Sequence, residues 1–263
     1  MRSLFEQFPK LLIGAVHLRP LPGAPRWAGD LESVIDCAVR DARAYESGGA
    51  HALFIENFGD IPFTKGCVAP ETLAAMAAVG WAVGAAVKLP IGFNVLRNDA
   101  RAALALCAAC RGSFIRVNVH TGAMLTDQGL IEGNAYETLR YRHRVCPQAQ
   151  IFADVQAPLA VPLANWTLED AAWHTVERGL ADALIVSGQG AGLQSDLMDV
   201  EKVRRTCPAV KILLGSGVTP ANAGDCLPVA DGFIVGSSLK VDGQVANPVD
   251  PKRVAALARV MQG

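Results

Sequence analysis

Two acidic residues and a histidine end short apolar runs, where their side chains could transfer protons. Glu56 ends the run LFIE, Asp154 ends IFAD and His17 ends LIGAVH. A carboxyl or imidazole group in a water-poor site shifts its pKa and can serve as a general acid or base. We therefore expect Glu56 and Asp154 to form an acid/base pair. His17 is expected to act either as a general base or as a structural hydrogen bonder.

Further polar residues share one face of the same kind of run. Side chains in a strand alternate between two faces, and the run FIRVNVH has its apolar residues at alternate positions. This alternation predicts that Arg116, Asn118 and His120 point into the barrel that is predicted below, or into its mouth, and that Asn94 in IGFN points inward as well. We expect these four residues to bind substrate, with the two asparagines orienting hydroxyl groups. An internal ion pair between Arg116 and one of the two carboxylates, which would only stabilise the fold, remains open.

Two turns of glycine and serine late in the chain could hold an anion. GSG at 215–217 follows KILL, and GSS at 236–238 follows GFIV. Glycine lets backbone N–H groups approach an anion without a Cβ in the way. The predicted phosphate site consists of Gly215, Ser216, Gly217, Gly236, Ser237 and Ser238. A third turn, with Ser187 and Gly188 in SGQGAG, is expected either to contact a sugar or phosphate or to form a lid, and 121–133 is a second lid candidate.

These residues belong to eight short apolar runs that alternate with helical patterns. This alternation is typical of parallel strands joined by crossover helices. The strands are predicted at 11–17, 51–57, 90–96, 114–119, 150–156, 182–187, 211–215 and 232–236. The helices are predicted near 30–47, 70–87, 98–110, 133–145, 168–178, 199–206, 220–227 and 250–261.

The first turn after a strand distinguishes two architectures with this alternation. In an open doubly wound sheet, a GxGxxG motif in this turn opens a helix and cradles a pyrophosphate. Here the turn is HLRPLPGAP at 17–25, and its three prolines cannot do either. We therefore predict a closed (β/α)8 TIM barrel, formed as a single domain over 1–263. In such barrels the C-terminal ends of the strands carry the active site, and the loops after strands 7 and 8 often hold a phosphate.

Composition excludes several classes of partner. The chain has 263 residues and a net charge of −1, which supplies no basic field for nucleic acid. The longest uncharged stretch, 73–87, is shorter than the roughly 20 residues of a membrane span, so we expect no integral membrane segment. Seven cysteines, an odd number, and a start without an apolar secretion segment predict a cytoplasmic protein.

No metal or cofactor is predicted. Cys107 and Cys110 form a CxxC inside a helical pattern, without a second pair at zinc-finger spacing, so we expect buried thiols. A metal site remains conceivable but lacks the HxH or HExxH spacing that would support it. Its ligands would be His17, Glu56, His120 and Asp154.

Several strings resemble one known family over nearly the whole chain. They are GAVHLRPLPGAPRW at 14–27, IENFGDIPF at 55–63, HTGAMLTDQGLIEGNAYETLRYR at 120–142, GLADALIVSG at 179–188 and SSLKVDGQVANPVDPKRV at 237–254. They are similar to the BtpA family, also called BtpA/SgcQ. The resemblance implies a barrel of the ribulose-phosphate-binding type, and a founding member implicated in photosystem I biogenesis. In many relatives a Lys-His pair is expected shortly after the aspartate of strand 5, whereas this chain has QAPLAVP at 156–162.

Two functions follow as hypotheses. The first is an enzyme acting on a small phosphorylated sugar or nucleoside-like substrate, by proton transfer or by carbon–carbon or glycosidic bond cleavage. A Schiff-base lysine is disfavoured, because Lys88 precedes strand 3 and Lys240 follows strand 8. The second is a noncatalytic assembly or stability factor for photosystem I or another membrane complex. Self-association into a homo-oligomer remains open.

Overall fold

Eight parallel strands close into a ring in the computed structural model, which describes residues 3–188 and 195–262. The strands of the ring are β1 (Leu11–His17), β2 (Ala52–Glu56), β3 (Ile91–Asn94), β4 (Phe114–Val117), β7 (Gln150–Asp154), β9 (Ala183–Val186), β10 (Lys211–Leu214) and β11 (Gly232–Val235). Because β1 pairs in parallel with both β2 and β11, the sheet closes on itself. The predicted (β/α)8 TIM barrel is confirmed, and the open sheet is excluded.

Helices pack around the ring: the first precedes β1, the last follows β11, and the others connect successive strands along the outside. They are α1 (Leu4–Gln7), α2 (Leu31–Ser47), α3 (Pro70–Ala86), α4 (Ala100–Cys110), α5 (Ala135–Val145), α6 (Leu168–Trp173) with a π-helical continuation (His174–Arg178), α7 (Leu197–Thr206), α8 (Ala223–Cys226) and α9 (Pro251–Gln262). Asp30 and Asp99 each accept a hydrogen bond from a backbone N–H in the first turn of α2 and α4. Thr167 forms a capping box at the start of α6.

The interior of the barrel is apolar for most of its depth. Inward residues such as Leu11, Phe54 and Phe152 form one buried cluster, while the outward residues of the strands pack against the helices in a second and larger cluster. The short helix α1 covers the N-terminal end of the barrel, where Leu4 joins the inner cluster. The inward layer at the opposite, C-terminal end of the strands is polar.

A second sheet interrupts the regular pattern after β4. It is formed by β5 (Ala123–Thr126), β6 (Gly129–Glu132) and β8 (Val161–Pro162), all antiparallel. Met124 and Ile131 lie on its inner face and pack with Val119 and Ala157. The lid candidate at 121–133 is therefore largely an ordered hairpin, which the sequence analysis did not predict.

The cysteines of α4 agree with a further expectation. Cys107 and Cys110 are buried in α4, and burial raises the pKa of both thiols. Their prediction as buried thiols is confirmed. Among the described residues, no helix has both the length and the apolar character needed to cross a bilayer.

Candidate functional site

Predicted site residues from five neighbouring strands meet in the polar layer at the C-terminal end of the barrel. His17, Glu56, Asn94, Arg116 and Asp154 end or nearly end their strands on the inward face, where alternation continues from the apolar residues below. The strand register places His17 beside Glu56, and Glu56 beside Asn94. The catalytic ends of barrel strands lie in this position.

Asp154 is held by an ion pair and two further hydrogen bonds. Arg116 donates from Nε to Oδ2 and from Nη2 to Oδ1, both at 3.0 Å. Asn118 Nδ2 lies 3.1 Å from Oδ2, and Ser187 Oγ lies 3.3 Å from Oδ1. Burial alone lowers the pKa of Arg116, but the charge and hydrogen bonds of Asp154, with the charge of Glu56, raise it overall. The internal ion pair, one alternative left open above, is thus formed by Arg116 and Asp154.

Glu56 has a different environment in the same layer. Its Oε1 accepts one hydrogen bond, from Asn94 Nδ2 at 2.6 Å. Burial raises the pKa of Glu56, and the opposing effects of Arg116, Asn94 and Arg97 do not cancel the increase. Its carboxyl group therefore holds a proton more strongly than an ordinary glutamate, as a general acid or base near neutral pH requires.

His17 is neutral under ordinary conditions. Burial, followed by the charges of Lys240 and Arg116, lowers its pKa to about 3. Its Nε2 lies 3.8 Å from Glu56 Oε2, and its ring packs on Phe58 with centroids 4.6 Å apart. Nδ1 is buried and has no hydrogen-bond partner among the described residues. A neutral imidazole here can accept a proton or a hydrogen bond but does not supply a positive charge.

His120 does not join this layer, and the prediction that it points into the barrel or its mouth is wrong. Its Nε2 lies 2.8 Å from the carbonyl oxygen of Gly179, at the end of the π-helical segment outside the ring. Strand β4 ends at Val117, so strict alternation does not extend to position 120. The conceivable metal set of His17, Glu56, His120 and Asp154 is therefore not assembled, and the described residues contain no other cluster of three potential ligands.

The two glycine and serine turns lie beside the polar layer, after β10 and β11. A Cβ on Gly236 would stand 2.6 Å from Cε1 of His17, and one on Gly215 would overlap Oγ of Ser187. Close packing therefore explains why both positions are glycine, without reference to any ligand. Gly217 has a φ of 71°, in the left-handed region that favours glycine.

Serine hydroxyls link these turns to each other. Ser216 Oγ accepts a hydrogen bond from Gly188 N at 2.9 Å, and Ser238 Oγ donates to the carbonyl oxygen of Val218 at 2.7 Å. Ser237 begins a short 3-10 helix, Ser237–Leu239. The remainder of the third turn, 189–194, lies outside the described residues. The phosphate-binding role of all these residues stays a prediction.

The sequence analysis missed Arg97, which follows β3. Arg97 is 8% exposed, donates from Nη2 to the carbonyl oxygen of Pro158, and lies within electrostatic range of Asp154 and Glu56. Arg97 lies in a loop directly before the predicted helix at 98–110. No strand or helix periodicity therefore indicated the direction of its side chain. Near these loops, a cavity of about 160 Å³ is lined by residues that include Asn57, which follows Glu56 in the chain.

Lys240 is 2% exposed and is paired with a residue outside the ring. Its Nζ lies 3.3 Å from Oδ2 of Asp41 on α2, and it also donates to the carbonyl oxygen of Asn247. This placement agrees with the expectation that Lys240 does not act as an inward Schiff-base lysine.

Solved structures of low sequence identity share this fold. A tryptophan synthase structure from Mycobacterium tuberculosis matches with a TM-score of 0.64 at 16% identity, covering 99% of this chain and 97% of that chain. The (S)-3-O-geranylgeranylglyceryl phosphate synthase of Thermoplasma acidophilum matches with a TM-score of 0.60 at 13% identity, covering 99% and 98%. These similarities show the barrel fold alone.

Closer relatives match in sequence over nearly the full length. The chain is 44% identical to the photosystem I biogenesis protein BtpA of Synechocystis, covering 98% of this chain and 91% of that protein. It is 36% identical to the putative sgc region protein SgcQ of Escherichia coli, covering 94% and 92%. The sequence profile of the BtpA family matches residues 9–263. The chain therefore belongs to the BtpA family.

Proposed function

We propose that this barrel is an enzyme that binds a small phosphorylated sugar or nucleoside-like molecule at its C-terminal rim. Glu56 would transfer the proton, and Arg116 with Asp154 would fix the geometry of the site. The reaction class is proton transfer, as in an isomerase, or acid/base-assisted cleavage of a carbon–carbon or glycosidic bond.

The observation that carries this proposal is the contrast between the two buried carboxyl groups. Asp154 accepts four hydrogen bonds from its ion-pair partner and two neighbours, whereas Glu56 accepts one and has a raised pKa. Titratable groups placed in contrasting environments on one rim are typical of acid/base sites. Glu56 and Asp154 were expected to act together as an acid/base pair. We now propose different roles for them: Glu56 transfers the proton, and Asp154 is a positioning residue.

Two features support a phosphorylated substrate. The turns at 215–217 and 236–238 occupy the positions where barrels often bind phosphate, beside the start of a short helix. The glyceryl phosphate synthase of the same fold was solved with sn-glycerol-1-phosphate, a phosphorylated substrate.

Thermal stabilisation by sugar phosphates and nucleotides tests the binding step. A ligand at a hundredfold excess over its Kd stabilises the folded state by about 2.7 kcal/mol, which is readily measured as a rise in Tm. Ser237→Asp should abolish the rise, because it places a negative charge in the turn, whereas the uncharged Ser237→Asn should largely retain it. Position 237 is preferred to 236, where any Cβ meets the His17 ring. If no ligand in the panel raises the Tm, the proposal that the rim binds a phosphorylated molecule is wrong.

Glu56→Gln tests the chemical step once a ligand is found. The amide keeps the size of the side chain but cannot exchange a proton, so the variant should bind the ligand and lose turnover. If turnover persisted at the wild-type rate, Glu56 would not be the proton-transferring group.

A noncatalytic assembly factor is the second candidate function. The observation in its favour is the 44% identity to the Synechocystis protein named for photosystem I biogenesis. This candidate predicts no turnover and no Tm shift with any phosphorylated ligand, so the same panel separates the two functions.

A further inference from the structure

The outer face of the second sheet is apolar and exposed. The register of β5 places Leu125 opposite Leu130 on β6 and opposite Val161 on β8. A hydrogen bond from Leu163 N to the carbonyl oxygen of Ala123 extends this pairing, so the Leu163 position belongs to the same face. The exposed fractions of Leu125, Leu130, Val161 and Leu163 are 54%, 40%, 64% and 62%. We call these four residues the hairpin face.

The opposite side of the sheet is already covered. Met124 and Ile131 are buried there against Val119 and Ala157. An antiparallel sheet with one solvated face ordinarily alternates apolar inward and polar outward residues. Here the outer face is also mostly apolar, although the exposed Glu132 lies on it opposite Ala123, two residues from Leu130. This surface indicates a second layer that packs on the hairpin face.

The extent of the surface fits the centre of a protein interface. Trp166 and Tyr136, 38% and 61% exposed, lie near one end of the sheet. With them, the hairpin face exposes on the order of 500 Å² of apolar surface, near the upper end for monomeric proteins. A standard interface buries about 800 Å² per partner, so this surface supplies an apolar core and leaves the remainder to a polar rim.

We propose that the hairpin face packs against the same face of a second copy of this chain. A two-fold interface brings one surface onto itself, and the four apolar residues of the hairpin face are compatible with such contact, with Glu132 at the edge of that face. Its margin carries both charge signs, because Asp127 lies at the turn of the hairpin and Arg140 stacks on the Tyr136 ring at 3.5 Å. With the two sheets antiparallel, Asp127 of each copy faces the end that carries Arg140 and Glu132 of the other, so that the arginine pairs with the carboxylates at this margin.

Sedimentation velocity of the full chain tests this dimer. The wild type should sediment as a dimer, and Val161→Glu and Leu125→Glu should each shift it to a monomer, because the charge would be buried without a partner. Val245→Glu is the matched control: Val245 is 38% exposed and follows β11, which lies across the ring from β4 and β7. This variant should remain dimeric. Far-UV circular dichroism and Tm verify that each variant is folded.

Two outcomes would overturn the proposal. One is a wild type that remains monomeric at every accessible concentration, and the other is a folded Val161→Glu variant that stays dimeric. Vesicles containing phosphatidylglycerol provide a further arm. A monomeric wild type that binds them through Leu125 and Val161 would assign the hairpin face to a membrane surface instead.

Discussion

Glu56 and Asp154 lie in one polar layer and differ in their partners. Asp154 sits in a bidentate ion pair with Arg116, whose side chain is 10% exposed, and Glu56 has an amide partner. Removing two charges from water is costly, and only good geometry and additional hydrogen bonds offset that cost. Asn118 and Ser187 supply those bonds to Asp154. The arrangement places a charged pair in the same layer as a carboxyl group whose pKa is raised by burial.

Breaking this pair from one side should be far more harmful than removing it. We expect Asp154→Leu or Arg116→Met alone to lower the free energy of unfolding by about 3–5 kcal/mol, because each leaves an unpaired buried charge. The double variant should lose clearly less than the sum of the two. Urea unfolding at neutral pH measures all three. Ser187→Ala, which removes one hydrogen bond, is the control and should cost about 1 kcal/mol. Additive losses would contradict the pairing.

His17 should make stability depend on pH in the acidic range. Its pKa is about 3 in the folded protein and 6.5 as an ordinary value, so between these limits the unfolded chain binds a proton that the folded protein does not. Stability is therefore lost as pH falls from about 6.5 towards 3, by up to about 1.4 kcal/mol per pH unit. His17→Gln should reduce the pH dependence of the free energy of unfolding by up to about 1.4 kcal/mol per pH unit, the equivalent of one bound proton. Urea unfolding at a series of pH values measures it.

Two comparisons isolate the effect of His17. His143, exposed in α5, provides a variant, His143→Gln, that removes an imidazole from the surface. Glu56 acts in the opposite direction, because its raised pKa makes the folded protein retain a proton that the unfolded chain releases as pH rises. The free energies of unfolding of the wild type and His17→Gln are therefore compared at the same pH, because Glu56 is present in both. An unchanged slope in His17→Gln would show that the imidazole is not buried in its neutral form.

At the scale of the elements, alternation in the strands was sufficient to predict the polar layer. The predicted inward positions of Glu56, Asn94, Arg116 and Asp154 agree with the structure, since a strand fixes side-chain direction by its backbone alone. The same rule failed at His120, because it was applied three residues beyond the end of β4. Alternation therefore predicted the direction of side chains within the strands but not three residues beyond the end of one.

Other parts of the site could not be predicted because nonlocal contacts define them. Arg97 approaches the rim from a loop, and its hydrogen bond to Pro158 joins residues 61 positions apart. The second sheet pairs β5 with β8 across the whole of α5 and β7. Neither feature has a local periodicity. The glycines of the predicted phosphate turns were recognised, but their close packing on His17 and Ser187 depends on neighbouring strands.

At the scale of the whole molecule, the two ends of the barrel differ in composition. The polar layer lies at the C-terminal end, and α1 covers the N-terminal end. Leu4 is buried in the inner cluster, and its backbone N–H donates to Gln150 Oε1 at the start of β7. The ring of Phe5 lies 5.7 Å from that of Phe152. In barrels of this type the N-terminal end contributes to stability and not to chemistry.

Truncating the buried side chain of α1 should therefore destabilise the barrel without changing its rim. Leu4→Ala should lower the free energy of unfolding by about 2–5 kcal/mol, because it leaves a cavity at the covered end. Ligand affinity, measured well below the Tm, should stay at the wild-type value, since the strands between the ends keep their register. Met198→Ala, at a position that is 66% exposed, is the control and should change neither quantity. If Leu4→Ala were as stable as this control, α1 would not be packed into the barrel, whereas a loss of affinity would show that the two ends are coupled.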